Sequence, residues 1–219
     1  MEYSANQMRA ILALSLTLAA LSVQAQKITY DAMQNGSKVG TLTFERKQVG
    51  ANLRIAYTIN VQQAGQSGKF DVVNMYDARG YPKSKQLIVT SKGSDIKLVA
   101  TFTGMTAKAV ATIKGKTQSK DLKAPTQTPF TDASVWWFLR DTPKVGTMLR
   151  YQTLNLLSGV WSDSTTKYVG PGTVQWKGKA VKGHQMATDQ GGGNTSTMWL
   201  DDKGLPITLD QNGIKFVRR

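Results

Sequence analysis

Alternation of apolar and polar residues limits the fold of this chain more than any other feature. Every second residue from Leu53 to Val61 is apolar, and the residues between them include Arg54 and Asn60. The same period of two recurs at 96–102 and 109–113. Successive side chains of a strand point to opposite faces, so each segment has one apolar and one water-facing side. This pattern is typical of antiparallel sheets, because the strands of parallel sheets are buried on both faces.

Turn signals separate these segments at short intervals. Asn-Gly at 35–36 and 212–213 favours tight hairpins, and Gly-Tyr-Pro at 80–82 marks another turn. The spacing predicts roughly a dozen strands, and sheets that wide curl or close. We therefore expect an all-β protein with one helix, built as a strongly curved antiparallel sheet that forms an open or closed β-barrel. No fixed-period repeat is visible, which argues against a propeller or solenoid.

One segment, 131–140, has a helical pattern instead. Thr131 or Asp132 can cap its first amides, and Arg140 suits the negative end of the helix dipole. The apolar residues cover a broad arc, and Trp137 lies roughly opposite that arc. A helix that is apolar on both sides needs cover on both sides. We expect it to plug the curved sheet, with Trp137 the residue best placed to touch a ligand.

The first 25 residues predict a secretory signal peptide. Arg9 precedes an apolar run at 10–23, and Val23-Gln24-Ala25 presents small residues at the usual cleavage spacing. The run is too short for a comfortable membrane span, and a retained anchor is the alternative. The predicted organisation is a signal peptide at 1–25 and a single β-barrel-like domain at 26–219. The mature protein would be periplasmic or secreted and would not span a membrane.

The chain is strongly basic and has no cysteine. Lys and Arg number 28 against 14 Asp and Glu, which gives a net charge of +14. Outside the cytoplasm such a surface favours anionic lipid head groups, surface polymers or an envelope protein as partners, and a basic surface without a specific partner is the alternative. Export removes nucleic acid as a partner. Without cysteine there are no disulfides, thiolate nucleophiles or cysteine metal sites, which is in keeping with a bacterial envelope protein.

Residues suited to catalysis are scarce. His184 is the one histidine in the chain, and no nucleophile elbow accompanies it. A partly exposed histidine at a strand end is therefore favoured over a general base or metal ligand. Asp201 and Asp202 lie in a turn, and no pair of carboxylates suggests glycosidase chemistry. We expect no catalytic residue, no metal, no cofactor and no enzyme activity. A hydrolase that uses His184 is the least favoured hypothesis.

Large aromatic residues are concentrated in the second half of the chain. Such rings either form an ordinary core or line a pocket for a lipid or small amphiphile. The candidate ligand-binding residues are Trp136, Trp137, Phe138, Tyr151, Trp161, Phe102 and Tyr57.

Four short motifs occur in a characteristic order after the signal peptide. They are Val39-Gly40, Gly80-Tyr-Pro82, Asp132-x-Ser134-x-x-Trp137 and the segment Met198-Trp-Leu-Asp-Asp-Lys-Gly-Leu-Pro206. This order resembles a family of exported bacterial domains of unknown function, whose fold is similar to the half-barrel of the periplasmic lipoprotein carriers. The resemblance implies a curved sheet around a helix with a lipid-sized hollow, and it carries no catalytic residues.

Two functions follow as expectations. The first is an exported, non-enzymatic β-barrel-like protein that binds or carries a hydrophobic or amphipathic, lipid-like ligand in the bacterial envelope. The second is an envelope scaffold with a solid core that binds another protein or an anionic surface polymer. A packed interior would favour the scaffold, and a hollow interior would favour the carrier.

Overall fold

The structure is a computed structural model that describes residues 25–63, 66–91, 94–124, 137–138, 140–191 and 193–219. Its strands are β1 (Gln26–Gln34), β2 (Ser37–Val49), β3 (Asn52–Gln63), β4 (Gln66–Tyr76), β5 (Pro82–Ser91), β6 (Ser94–Thr103), β7 (Thr106–Ile113), β8 (Lys116–Lys123), β9 (Met148–Asn155), β10 (Val160–Trp176), β11 (Lys179–Asp189), β12 (Thr195–Leu200), β13 (Pro206–Gln211) and β14 (Ile214–Arg218). Nearly all of the predicted signal peptide lies outside the described residues and stays a prediction.

The fourteen strands form one antiparallel sheet, which confirms the predicted all-β, antiparallel class. Consecutive strands pair with each other, except β8 and β9, and β1 also pairs with β14. The edges of the sheet are therefore β8 and β9, in the middle of the sequence. No hydrogen-bonded ladder joins these two edges in the described part of the chain, so the sheet is open and not a closed barrel. Lys116, Lys120 and Lys123 lie exposed along edge strand β8, where charge discourages pairing with another chain.

The predicted apolar faces meet inside the curve of the sheet. Ile55 is fully buried, and Leu53, Tyr57 and Ile59 pack beside it, as the alternation along β3 predicted. The buried members of this main core are Tyr30, Ala32, Leu42, Phe44, Ile55, Tyr76, Trp137, Tyr151, Tyr168, Met186, Leu200, Leu205 and Phe216. These residues come from both halves of the chain, so the main core joins β1–β4 to β9–β12 and β14.

The two ends of the sheet are joined by side chains in place of backbone hydrogen bonds. Ala100 of β6 and Ala107 of β7 form a second buried cluster with Leu154 of β9. Phe102 and Trp161 pack against this cluster with their ring centroids 6.2 Å apart. We call this region the seam, defined by Ala100, Phe102, Ala107, Leu122, Leu154, Leu156 and Trp161.

Strand β9 is covered on both of its faces because of the seam. Tyr151 belongs to the main core, whereas Leu154, on the opposite face of the strand, belongs to the second cluster. Gln152 shares the face of Leu154 and is also buried, at 1 % exposure. An edge strand that is buried on both sides indicates that the two ends of the sheet overlap.

The helix is described only at its end. Trp137, Phe138, Arg140 and Asp141 are helical, and the amide of Thr142 donates to the carbonyl of Phe138 at 3.2 Å. Residues 131–136 and 139 lie outside the described residues, so the plug as a whole stays a prediction. Trp137 is only 3 % exposed and packs in the main core.

Two turns of identical construction connect β4 to β5 and β12 to β13. Their sequences are Asp77-Ala-Arg-Gly-Tyr-Pro82 and Asp201-Asp-Lys-Gly-Leu-Pro206. In each, one oxygen of the Asp carboxylate accepts the backbone amides two and four residues later, at 2.9–3.0 Å. The amide of each Asp donates to the carbonyl four residues later at 2.9 Å. The motif at 198–206 that supported the family resemblance is therefore a structural turn.

Arg218 fastens the second of these turns to the final strand. Its guanidinium donates to Asp201 Oδ2 through both terminal nitrogens at 2.9 Å, and to the carbonyls of Leu205 and Pro206 at 2.8 Å. The hydroxyl of Tyr30 donates to the same Pro206 carbonyl at 2.7 Å. This clamp, defined by Tyr30, Asp201 and Arg218, joins β1, β14 and the turn before β13.

Tyr30 predicts a loss of stability in alkaline solution. Burial raises the pKa of its phenol well above the ordinary value near 10. At a pH between the ordinary pKa near 10 and the raised pKa of the folded state, Tyr30 is ionised in the unfolded chain and neutral in the folded chain. The free energy of unfolding should therefore fall by about 1.4 kcal/mol per pH unit from this group. Urea titrations between pH 9 and 11.5 would measure this. At pH 9 the Tyr30→Phe variant should be about 1 kcal/mol less stable than the parent, because the hydrogen bond is lost. As the pH rises, the free energy of unfolding of the variant should fall less steeply than that of the parent.

The exposed Tyr81 provides the matched control for this prediction. Tyr81→Phe should keep the alkaline slope of the parent protein. Equal slopes for Tyr30→Phe and the parent would show that Tyr30 does not control the alkaline transition.

Candidate functional site

A cavity of about 110 Å³ lies where β9 meets the inner face of β4, β5 and β6. Phe102, Pro82 and Leu154 form its apolar wall, while Tyr76 and Tyr151 contribute aromatic rings. The remaining lining residues are Asn74, Ser84, Lys85, Gln152, Thr153 and Gln190. We call this the seam cavity, because Phe102 and Leu154 belong to both the cavity and the seam.

The polar side chains of the seam cavity arise from inward-facing positions in the strands. Cross-strand pairing places Asn74 opposite Ile55 and Lys85 opposite both Asn74 and Ala100. Ile55 and Ala100 are fully buried, so this row of the sheet faces inward. Asn74 and Lys85 therefore occupy core positions that the alternation alone would assign to apolar residues.

Two buried oxygens of the lining are unusual. Asn74 is 4 % and Gln152 is 1 % exposed, and neither Asn74 Oδ1 nor Gln152 Oε1 has a donor within hydrogen-bond distance among the described residues. The other end of the Gln152 amide is satisfied, since Nε2 donates to Asp163 Oδ1 at 2.9 Å. Buried acceptors without donors are costly, so their presence beside a cavity indicates a place for donor groups.

A cation lies beside these acceptors. Lys85 Nζ donates to the Leu154 carbonyl at 3.2 Å and lies 3.5 Å from Thr153 Oγ1. It thereby connects β5 to edge strand β9. The seam cavity accordingly combines two amide acceptors, an ammonium and an apolar wall.

Apolar residues continue from the cavity to the surface. Phe102 contacts Trp161, and the same cluster includes Leu122 and Leu156. Phe102, Leu122, Leu156 and Trp161 are only partly buried, so this cluster reaches the surface. An apolar strip thus leads from the polar cavity to the outside, which is the arrangement an amphipathic molecule needs.

The predicted ligand-binding residues divide into four groups. Trp136 lies outside the described residues. Trp137 is buried in the main core, and Tyr57 packs against that core with its ring centroid 5.5 Å from that of Phe44. Phe138 lies beside Tyr168 and His184, away from the seam cavity. Phe102 contacts Trp161 at the seam, and Tyr151, a member of the main core, lines the seam cavity together with Phe102, although these residues are far apart in the sequence.

Sequence reasoning missed the polar half of the site. Asn74, Lys85 and Gln152 were not singled out, because single polar residues in strands usually face water. For Asn74 the sequence did carry a signal, because the residue lies between Val72 and Tyr76 at a position of β4 whose side chain faces inward. No comparable signal existed for Gln152, whose burial depends on the overlap of the two sheet ends.

His184 lies within strand β11 and not at a strand end. Its Nδ1 is 2.8 Å from the hydroxyl of Tyr168, and its Nε2 is 3.1 Å from Asp202 Oδ1. A carboxylate only accepts, so Nε2 donates to Asp202; in the neutral ring Nδ1 then accepts from the phenol. Burial raises the pKa of Tyr168, which keeps that phenol protonated. These hydrogen bonds hold the His184 imidazole beside Phe138, so the residue has a structural role. That His184 has no catalytic role stays a prediction.

Two further findings concern the described residues. Within those ranges, no helix has the length and apolar character needed to cross a membrane. No group of three or more His, Asp or Glu side chains there is arranged to hold a metal ion.

Comparison with solved structures finds a crystal structure of a β-barrel-like protein of the domain of unknown function DUF1849 from Brucella abortus. The TM-score is 0.59 at 13 % sequence identity, with 89 % of this chain and 94 % of that chain covered. No protein-family model matches the chain, and no curated protein matches it significantly. The likeness extends over nearly the whole of both chains and establishes the fold as β-barrel-like, of a kind found in a domain of unknown function.

Proposed function

We propose that the chain is a non-enzymatic binding protein of the bacterial envelope that holds a small amphipathic molecule at the seam. The polar end of the ligand would occupy the seam cavity, and its apolar part would follow the strip past Phe102 and Trp161. The observation that carries the proposal is the pair of buried amide oxygens, without a donor among the described residues, beside an apolar strip that reaches the surface.

The size of the cavity limits what it can hold. Pockets for drug-sized ligands usually measure about 300–1,000 Å³. The seam cavity, at about 110 Å³, is well below that range. It therefore suits the end group of an amphiphile, and the rest of the molecule would lie along the seam. This differs from the carrier half-barrel suggested by the sequence, in which a whole lipid would lie within the sheet.

The envelope location rests on the sequence. The predicted signal peptide at 1–25 would export the chain, and a net charge of +14 would attract it to anionic membrane surfaces and to anionic amphiphiles. The absence of enzyme activity rests on the scarcity of catalytic groups and is likewise part of the proposal.

Binding at the seam predicts that Phe102→Ala will weaken the affinity for amphiphiles. The lost apolar contact should reduce affinity by about tenfold, which corresponds to about 1.4 kcal/mol. Tryptophan fluorescence should follow the binding, because Trp161 lies against Phe102. Titration with decyl amphiphiles, together with native mass spectrometry of gently purified protein, would measure it.

Phe70 offers the matched control, since it lies on β4 and lines neither the seam cavity nor the seam. Phe70→Ala should leave the affinity unchanged. The proposal fails if the purified protein carries no amphiphile and none binds, or if both phenylalanine variants bind like the parent.

The scaffold alternative is favoured by one specific observation. The main core is filled by its own side chains, including Tyr30, Phe44 and Trp137, each at or below 3 % exposure. A scaffold should retain a protein or an anionic polymer in a pull-down from envelope extracts, and should carry no lipid. Recovery of such a partner with a ligand-free seam would replace the first proposal by the second.

A further inference from the structure

We infer that the polar end of the seam ligand is a small head group with two hydroxyls, of the kind found in a monoacylglycerol. This inference rests on the proposed function, because it names the chemistry of the molecule that binds at the seam. Its starting point is the need of Asn74 Oδ1 and Gln152 Oε1 for hydrogen-bond donors.

The charge of the lining selects among donor groups. An ammonium or guanidinium head could donate to both amide oxygens, but Lys85 lines the same cavity and would repel it. An ionised carboxylate or phosphate suits Lys85, yet it has no hydrogen to give to the amide oxygens. A hydroxyl both donates and accepts, so a pair of hydroxyls can donate to the amides and accept from Lys85, Ser84 or Thr153.

The volume of the cavity selects the size of the head group. A cavity of about 150 Å³ holds benzene, which has six heavy atoms. The seam cavity, at about 110 Å³, therefore suits about four to six heavy atoms. A glycerol head has three carbons and two free hydroxyls, whereas a hexose ring is too large to enter fully.

The attachment of the apolar chain also agrees with this head group. Phe102 and Leu154 line the cavity and also belong to the seam, so the exit from the polar site is apolar. Glycerol esterified at one end presents its two hydroxyls inward and its single chain outward. A head with chains on both sides could not do so without burying a chain among the polar lining residues.

A panel of probes with equal chain length tests the inference. The probes are 1-decanoylglycerol, methyl decanoate, sodium decanoate and decyltrimethylammonium bromide, each titrated calorimetrically below its critical micelle concentration into the full mature chain. The monoacylglycerol should bind at least tenfold more tightly than each of the other three. Because the panel uses the parent protein, it does not depend on the folding of any variant.

Asn74→Leu provides a second measurement. The change replaces the amide by an apolar group of similar shape, so it should fold well, and a thermal melt would check this. Its affinity for 1-decanoylglycerol should fall about tenfold, and its affinity for methyl decanoate should stay equal or rise. Asn60→Leu, on the water-facing side of β3, serves as the control and should bind both probes like the parent.

The possible outcomes separate this inference from the function on which it depends. Tighter binding of the monoacylglycerol that is lost in Asn74→Leu supports both. Equal binding of all four probes, or a crystal structure of the complex with only water in the seam cavity, overturns the two-hydroxyl head group while leaving seam binding intact. No binding by any probe overturns both.

Discussion

Replacing Arg218 by methionine is expected to destabilise the protein by about 3 kcal/mol, near the lower end of the range for breaking a buried ion pair. Arg218 and Asp201 keep only 19 % and 27 % of their side-chain surface exposed, so water screens the pair weakly. The change removes two hydrogen bonds to the carboxylate and two to backbone carbonyls. Charge-assisted hydrogen bonds in such positions are the stronger kind. Each of the two carbonyls loses one donor and keeps another, the Asp201 amide for Leu205 and the Tyr30 hydroxyl for Pro206.

Thermal unfolding followed by circular dichroism would measure this effect. A loss of 3 kcal/mol should lower Tm by about 6–12 °C in a domain of this size. Arg54→Met is the matched control, because Arg54 also lies on a strand and pairs with Glu45 at 2.7 Å, but makes no further side-chain hydrogen bond within the described part of the chain and is more exposed. It should cost less than about 1 kcal/mol. Equal losses for the two variants would contradict the structural role of the Arg218 clamp.

Replacing Gly40 by alanine should have a similarly large effect. A β-carbon at Gly40 would lie 2.1 Å from the backbone oxygen of Asn60 on the neighbouring strand, which is far inside van der Waals contact. The obstacle is backbone, so β2 and β3 would have to move apart beside the irregularity between Ala32 and Met33. We expect a loss of about 3 kcal/mol, beyond the small gain that alanine brings by stiffening the unfolded chain.

Gly68 makes this prediction specific. Gly40 and Gly68 both pair with Val61, one from each side. At Gly68, however, a β-carbon would meet only Phe70 Cε2, at an ordinary distance of 3.7 Å. Gly68→Ala should therefore change the free energy of unfolding by less than about 1 kcal/mol in either direction. Urea denaturation of both variants measures the contrast, and equal stabilities would show that the close approach at Gly40 is relieved at no cost.

Gly40 also shows that a residue can be noted in the sequence while the need for it is explained only by the structure. Val39-Gly40 contributed to the family resemblance as a short motif, without a physical explanation. Its explanation depends on a neighbouring strand, since the clash arises across the β2–β3 pair. The same holds for the segment 198–206, whose Asp201 organises a turn and receives Arg218 from the end of the chain.

The candidate site was predicted in part. Tyr151, Phe102 and Trp161 were named because large rings suggest a pocket; Phe102 meets Trp161 at the seam, and Tyr151 lines the seam cavity with Phe102. Trp137 and Tyr57 were named on the same grounds and pack with the main core. Aromatic rings serve both purposes equally well, so residue type alone does not separate pocket from core.

The sequence by itself determined the sheet. Alternation with a period of two and closely spaced turns are local properties, and they require antiparallel strands with one buried face whatever the rest of the chain does. Asn-Gly turns and the two Asp turns at Asp77 and Asp201 act within a few residues, so their positions could be read along the chain.

Only the tertiary structure decided where the two ends of that sheet meet. The overlap of β9 with β6, β7 and β8 depends on curvature accumulated over fourteen strands, which no short segment records. This overlap buries Gln152, brings Lys85 within 3.2 Å of the Leu154 carbonyl and so creates the seam cavity. The polar half of the proposed site is a product of long-range packing, because its members become neighbours only when the sheet has curled.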